Sequence, residues 1–166
     1  MKIVVVGSGA IGSLYGGFLS LLEGNEVALI GRSPHITAVQ KEGLKIRGVM
    51  GKHHLRIAAS EDANSISEAD LVIITTKTYD TSQAALSAKH LVDGGAYVLI
   101  IQNGLGTEEQ VAKVLGTRRV LRATTCMGAL QEEPGIVEAT GCGLTEVGSH
   151  YDENMDFVET VANMLD

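Results

Sequence analysis

Basic residues are scarce in this sequence, which has 13 lysines and arginines against 20 aspartates and glutamates and a formal net charge of -7. Nucleic acids and anionic membrane surfaces bind clustered Lys and Arg, and one short basic group, Arg118-Arg119 with Arg122, does not provide such a surface. No apolar run reaches the roughly 18 residues of a transmembrane helix. The composition therefore argues against a nucleic-acid partner and against a membrane partner.

Cysteine is also rare: Cys126 and Cys142 form no CxxC or other metal-ligand spacing. His53-His54 has no nearby cysteine or clustered acids, so no metal site is expected. Cys126 is predicted to be a small packing residue. Reduced thiols fit a cytoplasmic protein, and the apolar run Ile3–Val6 is too short for a signal peptide. The other three histidines are isolated in the sequence and are expected to be exposed: His35, His90 and His150.

Glycine, in contrast, is abundant, with 20 residues. The apolar segment Lys2–Val6 leads into GSGAIG at Gly7–Gly12, and a helix-compatible stretch follows. A GxGxxG turn between a strand and a helix indicates dinucleotide binding. Gly7 permits the tight turn, Gly9 lets the backbone approach a pyrophosphate, and Gly12 lets the helix pack closely on the strand. The rest of the motif completes the loop and a helix N-terminus whose free N–H groups attract phosphate: Ser8, Ala10 and Ile11.

Apolar, β-branched segments alternate with helical patterns along the chain. The predicted strands are Lys2–Val6, Glu26–Ile30, Leu71–Thr75, Tyr97–Ile101 and Val120–Thr124. The predicted helices are Ile11–Leu22, Pro34–Glu42, Thr81–Ala88 and Thr107–Leu115. This alternation predicts an α/β fold, a Rossmann-type doubly wound and mostly parallel sheet with helices on both faces. One dinucleotide-binding domain is expected over residues 1–166.

Two regions depart from this alternation. Over Leu44–Ser60, two alternating segments predict a pair of strands with one exposed face. Three short segments, Met127–Gln131, Ile136–Thr140 and Leu144–Val147, are expected to extend the sheet in antiparallel fashion. The apolar spacing over 154–166 predicts a helix. Because that pattern stops without a glycine or proline, a further domain is expected to begin there.

The residues after the second strand distinguish NAD from NADP. An Asp or Glu there binds both ribose hydroxyls and repels a 2′-phosphate, whereas an Arg attracts the phosphate. Here Glu26–Ile30 is followed by Gly31-Arg32-Ser33, and no carboxylate occupies the strand end. Arg32, with the Ser33 hydroxyl as a further donor, therefore predicts NADP as the cofactor.

Polar residues also follow the next two buried strands. Lys77 comes shortly after Leu71–Thr75, and Asn103 follows Tyr97–Ile101. The carboxyl ends of parallel strands face the ligand crevice. A lysine there can bind a ribose hydroxyl or a substrate carboxylate, and an asparagine can orient a nicotinamide ribose or a carbonyl substrate. These residues are expected to surround a single crevice.

The sequence resembles the ketopantoate reductase (2-dehydropantoate 2-reductase) family at four motifs, in order: GSGAIG at Gly7–Gly12, GR at Gly31-Arg32, TTK at Thr75–Lys77 and QNGLG at Gln102–Gly106. The later segments Ala123–Ala129 and Pro134–Val137 also resemble that family. QNGLG after a buried strand is the most discriminating of these motifs. The resemblance implies reduction of ketopantoate to pantoate by NADPH, on the pathway to pantothenate and coenzyme A.

The family's cofactor contacts carry over to this sequence by motif. The glycines of Gly7–Gly12 would hold the pyrophosphate, and Arg32 would bind the 2′-phosphate. Lys77 would contact the cofactor near the nicotinamide. Asn103 would touch both the nicotinamide ribose and the substrate, and Ala129 would present its backbone to the nicotinamide carboxamide.

In that family a proton-donating lysine and most substrate-binding residues belong to a helical C-terminal domain, which is expected to be absent from this chain. Hydride donation alone is insufficient, because the developing alkoxide needs a proton donor or a positive charge. No catalytic residue is therefore assigned here. The chain by itself is expected to bind NADP(H) and to reduce ketopantoate feebly or not at all.

Alternatives from other functional classes stay open. A nucleotide-sensing regulatory module shares the opening strand and GxGxxG, although such modules typically carry an acid at the position of Arg32 and lack QNGLG. A reductase of another small 2-oxo acid, or a hydroxyacyl- or gluconate-type dehydrogenase, shares the architecture, and fold alone does not separate them. The sequence does not set the oligomeric state, and a homodimer is compatible with it.

Overall fold

Two sheets organise the protein in a computed structural model that describes residues 1–166. Eleven strands occur, in chain order: β1 (Lys2–Val6), β2 (Glu26–Ile30), β3 (Leu44–Gly48), β4 (His53–Leu55), β5 (Ala58–Ser60), β6 (Leu71–Ile74), β7 (Tyr97–Ile101), β8 (Val120–Thr125), β9 (Gly128–Glu133), β10 (Ile136–Gly141) and β11 (Thr145–Ser149). Six α-helices connect or follow them: α1 (Ala10–Leu19), α2 (His35–Glu42), α3 (Thr81–Ser87), α4 (Lys89–Asp93), α5 (Thr107–Leu115) and α6 (Met155–Leu165).

The larger sheet has seven strands in the order β11-β8-β7-β6-β1-β2-β5. All neighbouring pairs are parallel except β11 with β8, which is antiparallel. The chain order reverses between β1 and β6, which makes the carboxyl ends of these two strands a topological switch point. This arrangement confirms the predicted doubly wound, mostly parallel sheet with an antiparallel strand near the C-terminus.

Alternate residues of the central strands feed two separate cores, because successive side chains of a strand point to opposite faces. In β1, Ile3 and Val5 belong to one buried cluster, and Val4 and Val6 belong to the other. The first cluster also contains residues of α1, α6 and the second sheet, whereas the second contains residues of α3, α4 and α5. Both faces of the sheet are therefore covered, as the continuous apolar strands indicate.

The smaller sheet has four strands in the order β4-β3-β10-β9. Its central pair, β3 and β10, is parallel, and each outer strand is antiparallel to its neighbour. This corrects the sequence prediction for the C-terminal region: of the three predicted short strands, only the last extends the main sheet, as β11. The other two belong to the smaller sheet instead: β10 aligns beside β3 of the inserted segment, with Val137 opposite Ile46, and β9 pairs with β10.

Helix α1 lies between the two sheets, which explains why it has no charged residue and is buried along most of its length. A side chain at Gly16 would collide with Leu29 of β2, and one at Gly17 would collide with Ile46 of β3. These two adjacent glycines allow both sheets to approach the same helix. The glycine loop at the start of α1 is thereby held from both sides.

The inserted segment contains three strands rather than the two predicted. His53–Leu55 pairs with β3, but the chain then leaves that sheet, and Ala58–Ser60 runs parallel to β2 at the edge of the main sheet. Helix α4 was also missed by the sequence prediction, whereas α6 lies within the predicted span 154–166. None of the six helices has the length and apolar character needed to cross a membrane.

Candidate cofactor-binding cleft

A cleft of about 880 Å³ opens at the carboxyl ends of β1, β2, β6 and β7. The smaller sheet closes one side of it through Met127, Ala129 and Gln131, at and just before β9. Nine of the ten predicted site residues line this cleft: Gly7, Ser8, Gly9, Ala10, Ile11, Arg32, Lys77, Asn103 and Ala129. Residues that are far apart in the sequence are thus brought to one crevice, at the switch point where ligands of open α/β sheets bind.

The three motif glycines have different environments. Gly7 adopts a φ of +99°, which favours glycine, and a Cβ there would lie 2.6 Å from Thr76 Cγ2. Gly12 does not line the cleft: its Cβ position lies 2.5 Å from both Gly7 O and Thr75 Oγ1. Gly9 faces open space, with no atom within 4 Å of its Cβ position. Gly7 and Gly12 therefore allow close packing, and Gly9 leaves the cleft surface bare.

Helix α1 begins at Ala10 directly beside that bare surface, and no side chain caps its N-terminus. The first N–H groups of a helix have no acceptor within the helix and carry the positive end of its dipole. Ala10 and Ile11 both line the cleft. The cleft therefore offers backbone donors and a favourable field to an anionic group, and the missing Cβ at Gly9 leaves room for it.

Three cleft residues carry a buried side-chain oxygen with no hydrogen-bond partner: Ser8 Oγ, Thr76 Oγ1 and Gln102 Oε1. Buried polar atoms are normally paired, and an unpaired one costs free energy. Their position on the cleft therefore fits a polar ligand. The donors and acceptors present suit a phosphorylated nucleotide better than an apolar molecule.

Charged groups concentrate where β2, β5 and β6 end. The Arg32 guanidinium is 83% exposed and lies 3.2 Å from Asp80 Oδ2 across the cleft mouth. Ser33 donates to Glu61 through its hydroxyl at 2.5 Å and through its backbone N–H at 3.3 Å. Sequence reasoning missed both carboxylates, because neither follows β2 in the chain.

The other two predicted polar residues follow the ends of β6 and β7. Lys77 is exposed and makes no ion pair with a carboxylate. Asn103 bridges the ends of β7 and β8, with Oδ1 accepting from the Thr125 N–H and Nδ2 donating to Thr125 O, each at 3.3 Å. Each group of the amide keeps capacity for a second hydrogen bond. Asn103 is thus held in place without being saturated.

Gln102 is a structural residue of the site that sequence reasoning did not single out. Its side chain is buried, and Nε2 donates to Thr76 O at 2.6 Å and to Thr81 Oγ1 at 2.7 Å. Thr75 Oγ1 donates in turn to Gly7 O at 2.8 Å. These bonds tie together the loops that follow β1, β6 and β7. The QNGLG motif includes Gln102, but the sequence analysis assigned a ligand-binding role only to its neighbour Asn103.

His35 corrects another sequence expectation, since its side chain is buried and not exposed. Its Nε2 lies 2.9 Å from Ser13 Oγ in α1, and Nδ1 accepts from the Gly135 N–H. Burial lowers the pKa of this imidazole below its ordinary value. Cys126, predicted to pack, is exposed instead, because it follows the end of β8. No group of three or more His, Cys, Asp or Glu side chains is placed to hold a metal ion.

Comparison with known proteins identifies the family to which this chain belongs. The family model for "Ketopantoate reductase PanE/ApbA" matches residues 3–152, which covers both sheets and the whole cleft. The chain belongs to the ketopantoate reductase family. That confirms the resemblance seen in the glycine, TTK and QNGLG motifs, and it favours an oxidoreductase over a regulatory sensor module.

Relatives and solved structures agree with this assignment. A 2-dehydropantoate 2-reductase of Pyrococcus horikoshii is 44% identical over 163 residues, covering 97% of this chain and 52% of that protein. A crystal structure of 2-dehydropantoate 2-reductase from Geobacter metallireducens superposes with a TM-score of 0.91 at 30% identity, covering 99% of this chain and 55% of that one. D-mandelate dehydrogenase with NADH and anilino(oxo)acetate gives a TM-score of 0.89 at 27% identity, covering 99% and 54%. The chain spans about half the length of the curated relatives it matches.

Proposed function

We propose that the cleft binds a nicotinamide dinucleotide, with NADPH as the cofactor. The observation that carries this proposal is the bare Gly9 surface beside the uncapped start of α1, on the same cleft as Arg32. Gly7, Ser8, Gly9, Ala10 and Ile11 would form the pyrophosphate cradle. Gly12 would act behind it, by allowing α1 to pack against the Gly7 carbonyl.

Each of the remaining predicted residues would contact a different part of the cofactor. Arg32 would exchange Asp80 for a 2′-phosphate, because its guanidinium is largely exposed and can be reached by the cofactor. Lys77 and Asn103 would contact the ribose on the nicotinamide side, and Asn103 would also touch the substrate. Ala129, at the cleft wall formed by the smaller sheet, would present its backbone to the carboxamide.

The proposed reaction is the reduction of 2-dehydropantoate to pantoate by a full-length enzyme of which this chain is the cofactor-binding part. When bound, the reduced nicotinamide supplies hydride to the carbonyl carbon of the 2-oxo acid. The developing alkoxide also needs a proton. We assign no residue of the cleft as its proton donor. We therefore expect the 166-residue chain to bind cofactor with little or no turnover, and full turnover by it alone would contradict this division.

Titration of the chain with NADPH and with NADH, followed by nicotinamide fluorescence, tests cofactor binding. Arg32→Ala is expected to weaken NADPH binding about tenfold while NADH binding changes little, because only NADPH carries the 2′-phosphate. Arg56→Ala removes another exposed arginine, one that does not line the cleft, and serves as the control. An NADPH preference that survives Arg32→Ala unchanged would remove Arg32 from the assignment.

A second candidate is reduction of a different small 2-oxo acid. The structural likeness to D-mandelate dehydrogenase favours it, since that protein was solved with NADH and anilino(oxo)acetate. The two candidates share the cofactor half of the site and differ in the substrate. Steady-state comparison of 2-dehydropantoate with aromatic 2-oxo acids, using the full-length enzyme, separates them.

A further inference from the structure

A carboxylate stands beside the end of β2, although the sequence after β2 contains none. Strand β5 runs parallel to β2 with Ser60 opposite Ile30, so Glu61 follows its strand at the level where Gly31 follows β2. The Glu61 carboxylate accepts hydrogen bonds from both the hydroxyl and the backbone N–H of Ser33, which lies in the loop after β2. The residues that follow β2 in the sequence include no acid, but the neighbouring strand β5 brings Glu61 to the same place.

This position matters because the end of β2 is where dinucleotide folds recognise the adenosine ribose. A carboxylate there accepts hydrogen bonds from a free 2′-hydroxyl and repels a 2′-phosphate. In this cleft the two donors of Ser33, which could serve a phosphate, are already bound to Glu61. Arg32, the cation that would attract the phosphate, is already paired with Asp80.

The charges lining this cleft balance. Its two cationic side chains are Arg32 and Lys77, and its two carboxylates are Glu61 and Asp80. A strongly NADPH-selective site would present an excess of positive charge to the phosphate. Here each group that would attract the phosphate is already bound to a carboxylate: Arg32 to Asp80, and Ser33 to Glu61.

We propose that Glu61 is a specificity-determining residue that opposes Arg32, so that the cleft accepts NADH as well as NADPH. The inference rests on the proposed nucleotide function of the cleft and concerns only which dinucleotide it takes. Glu61 accepts from the 2′-hydroxyl of NADH and repels the 2′-phosphate of NADPH. Arg32 acts in the opposite direction. The two substitutions should therefore shift cofactor preference with opposite signs.

The test measures dissociation constants for NADPH and NADH with the wild-type chain, Glu61→Gln and a matched control. Glu61→Gln removes the charge and keeps the shape, and Glu61 is exposed, so the variant should fold normally. The affinity ratio of NADPH to NADH is expected to rise about tenfold, mainly through tighter NADPH binding. Glu23→Gln removes the same charge from an exposed position outside the cleft and should leave the ratio unchanged.

The possible outcomes separate this inference from the function on which it rests. A wild-type chain that binds neither dinucleotide contradicts both. A chain that binds NADPH, but whose preference stays within about twofold in Glu61→Gln, overturns the role of Glu61 and leaves the cofactor proposal intact. An equal rise in Glu23→Gln would assign the effect to overall charge and would also overturn the inference.

Discussion

The Nδ1 atom of His35 accepts a hydrogen bond of 3.0 Å from the backbone N–H of Gly135, a residue 100 positions further along the chain. Since Nδ1 is the acceptor, the proton of the neutral ring is on Nε2, which donates to Ser13 Oγ. Ser13 Oγ donates in turn to Ser8 O at 3.1 Å. A buried neutral imidazole therefore connects the turn between β9 and β10 to the glycine loop.

This geometry makes stability depend on pH. Because burial lowers the pKa of His35 in the folded protein, the unfolded chain takes up a proton first as the pH falls below the ordinary value of about 6.5. The contribution of neutral His35 is complete above that pH and declines below it. The melting temperature should fall between pH 7 and pH 5.5 in the wild type and fall less steeply in His35→Gln. Equal slopes for the two proteins would argue against this role.

The glycine motif should separate stability from ligand binding. In Gly12→Ala the new methyl group collides with Gly7 O and Thr75 Oγ1, and the variant should lose about 1–3 kcal/mol of unfolding free energy. Urea denaturation measures this loss. Gly9→Ala meets no atom, so its stability should stay within about 0.5 kcal/mol of the wild type.

Cofactor titration of Gly9→Ala completes this prediction. The methyl group of Gly9→Ala would stand on the bare surface of the cradle and should weaken NADPH binding despite normal stability. Undiminished NADPH affinity in Gly9→Ala would mean that the pyrophosphate does not approach this surface.

Gln102 should contribute to stability through the two hydrogen bonds that its buried side chain donates. Gln102→Ala leaves Thr76 O and Thr81 Oγ1 without this donor and should cost about 1–3 kcal/mol. Gln110→Ala is the control, because the Gln110 side chain is exposed and its one hydrogen bond goes to Ser82 Oγ. Chemical denaturation compares the two, and equal effects would contradict the bridging role of Gln102.

The sequence predicted the main sheet well because its strands are continuous apolar runs with glycine turns between them, as in Leu71–Ile74 and Tyr97–Ile101. The local sequence pattern did not predict strand pairing between segments that are far apart in the chain. Nothing near Ile136–Gly141 indicates that it aligns with Leu44–Gly48, and the alternating character of both segments fits any antiparallel neighbour.

The site was predictable to the same extent. Gly7 and Gly9 belong to a motif with fixed spacing and Arg32 follows a recognisable strand, so position in the chain was enough to place them on the cleft. Glu61 and Asp80 reach it from the ends of β5 and β6, and only the pairing of β5 with β2 and the ion pair of Asp80 with Arg32 reveal them. His35 appeared isolated because both of its hydrogen-bond partners lie on other elements of the fold.

The parallel pairing of β3 with β10 also has a consequence during protein synthesis. Leu44 and Ile46 are fully buried in the finished molecule, yet they leave the ribosome long before Val137, which lies opposite Ile46. A nascent chain stopped before β10 therefore carries these two large apolar side chains on a strand with β4 on one edge and no partner on the other, a target for chaperones. Release from such factors should coincide with the emergence of β10, the strand that joins β3 to β9 and so completes the sheet beside the cleft.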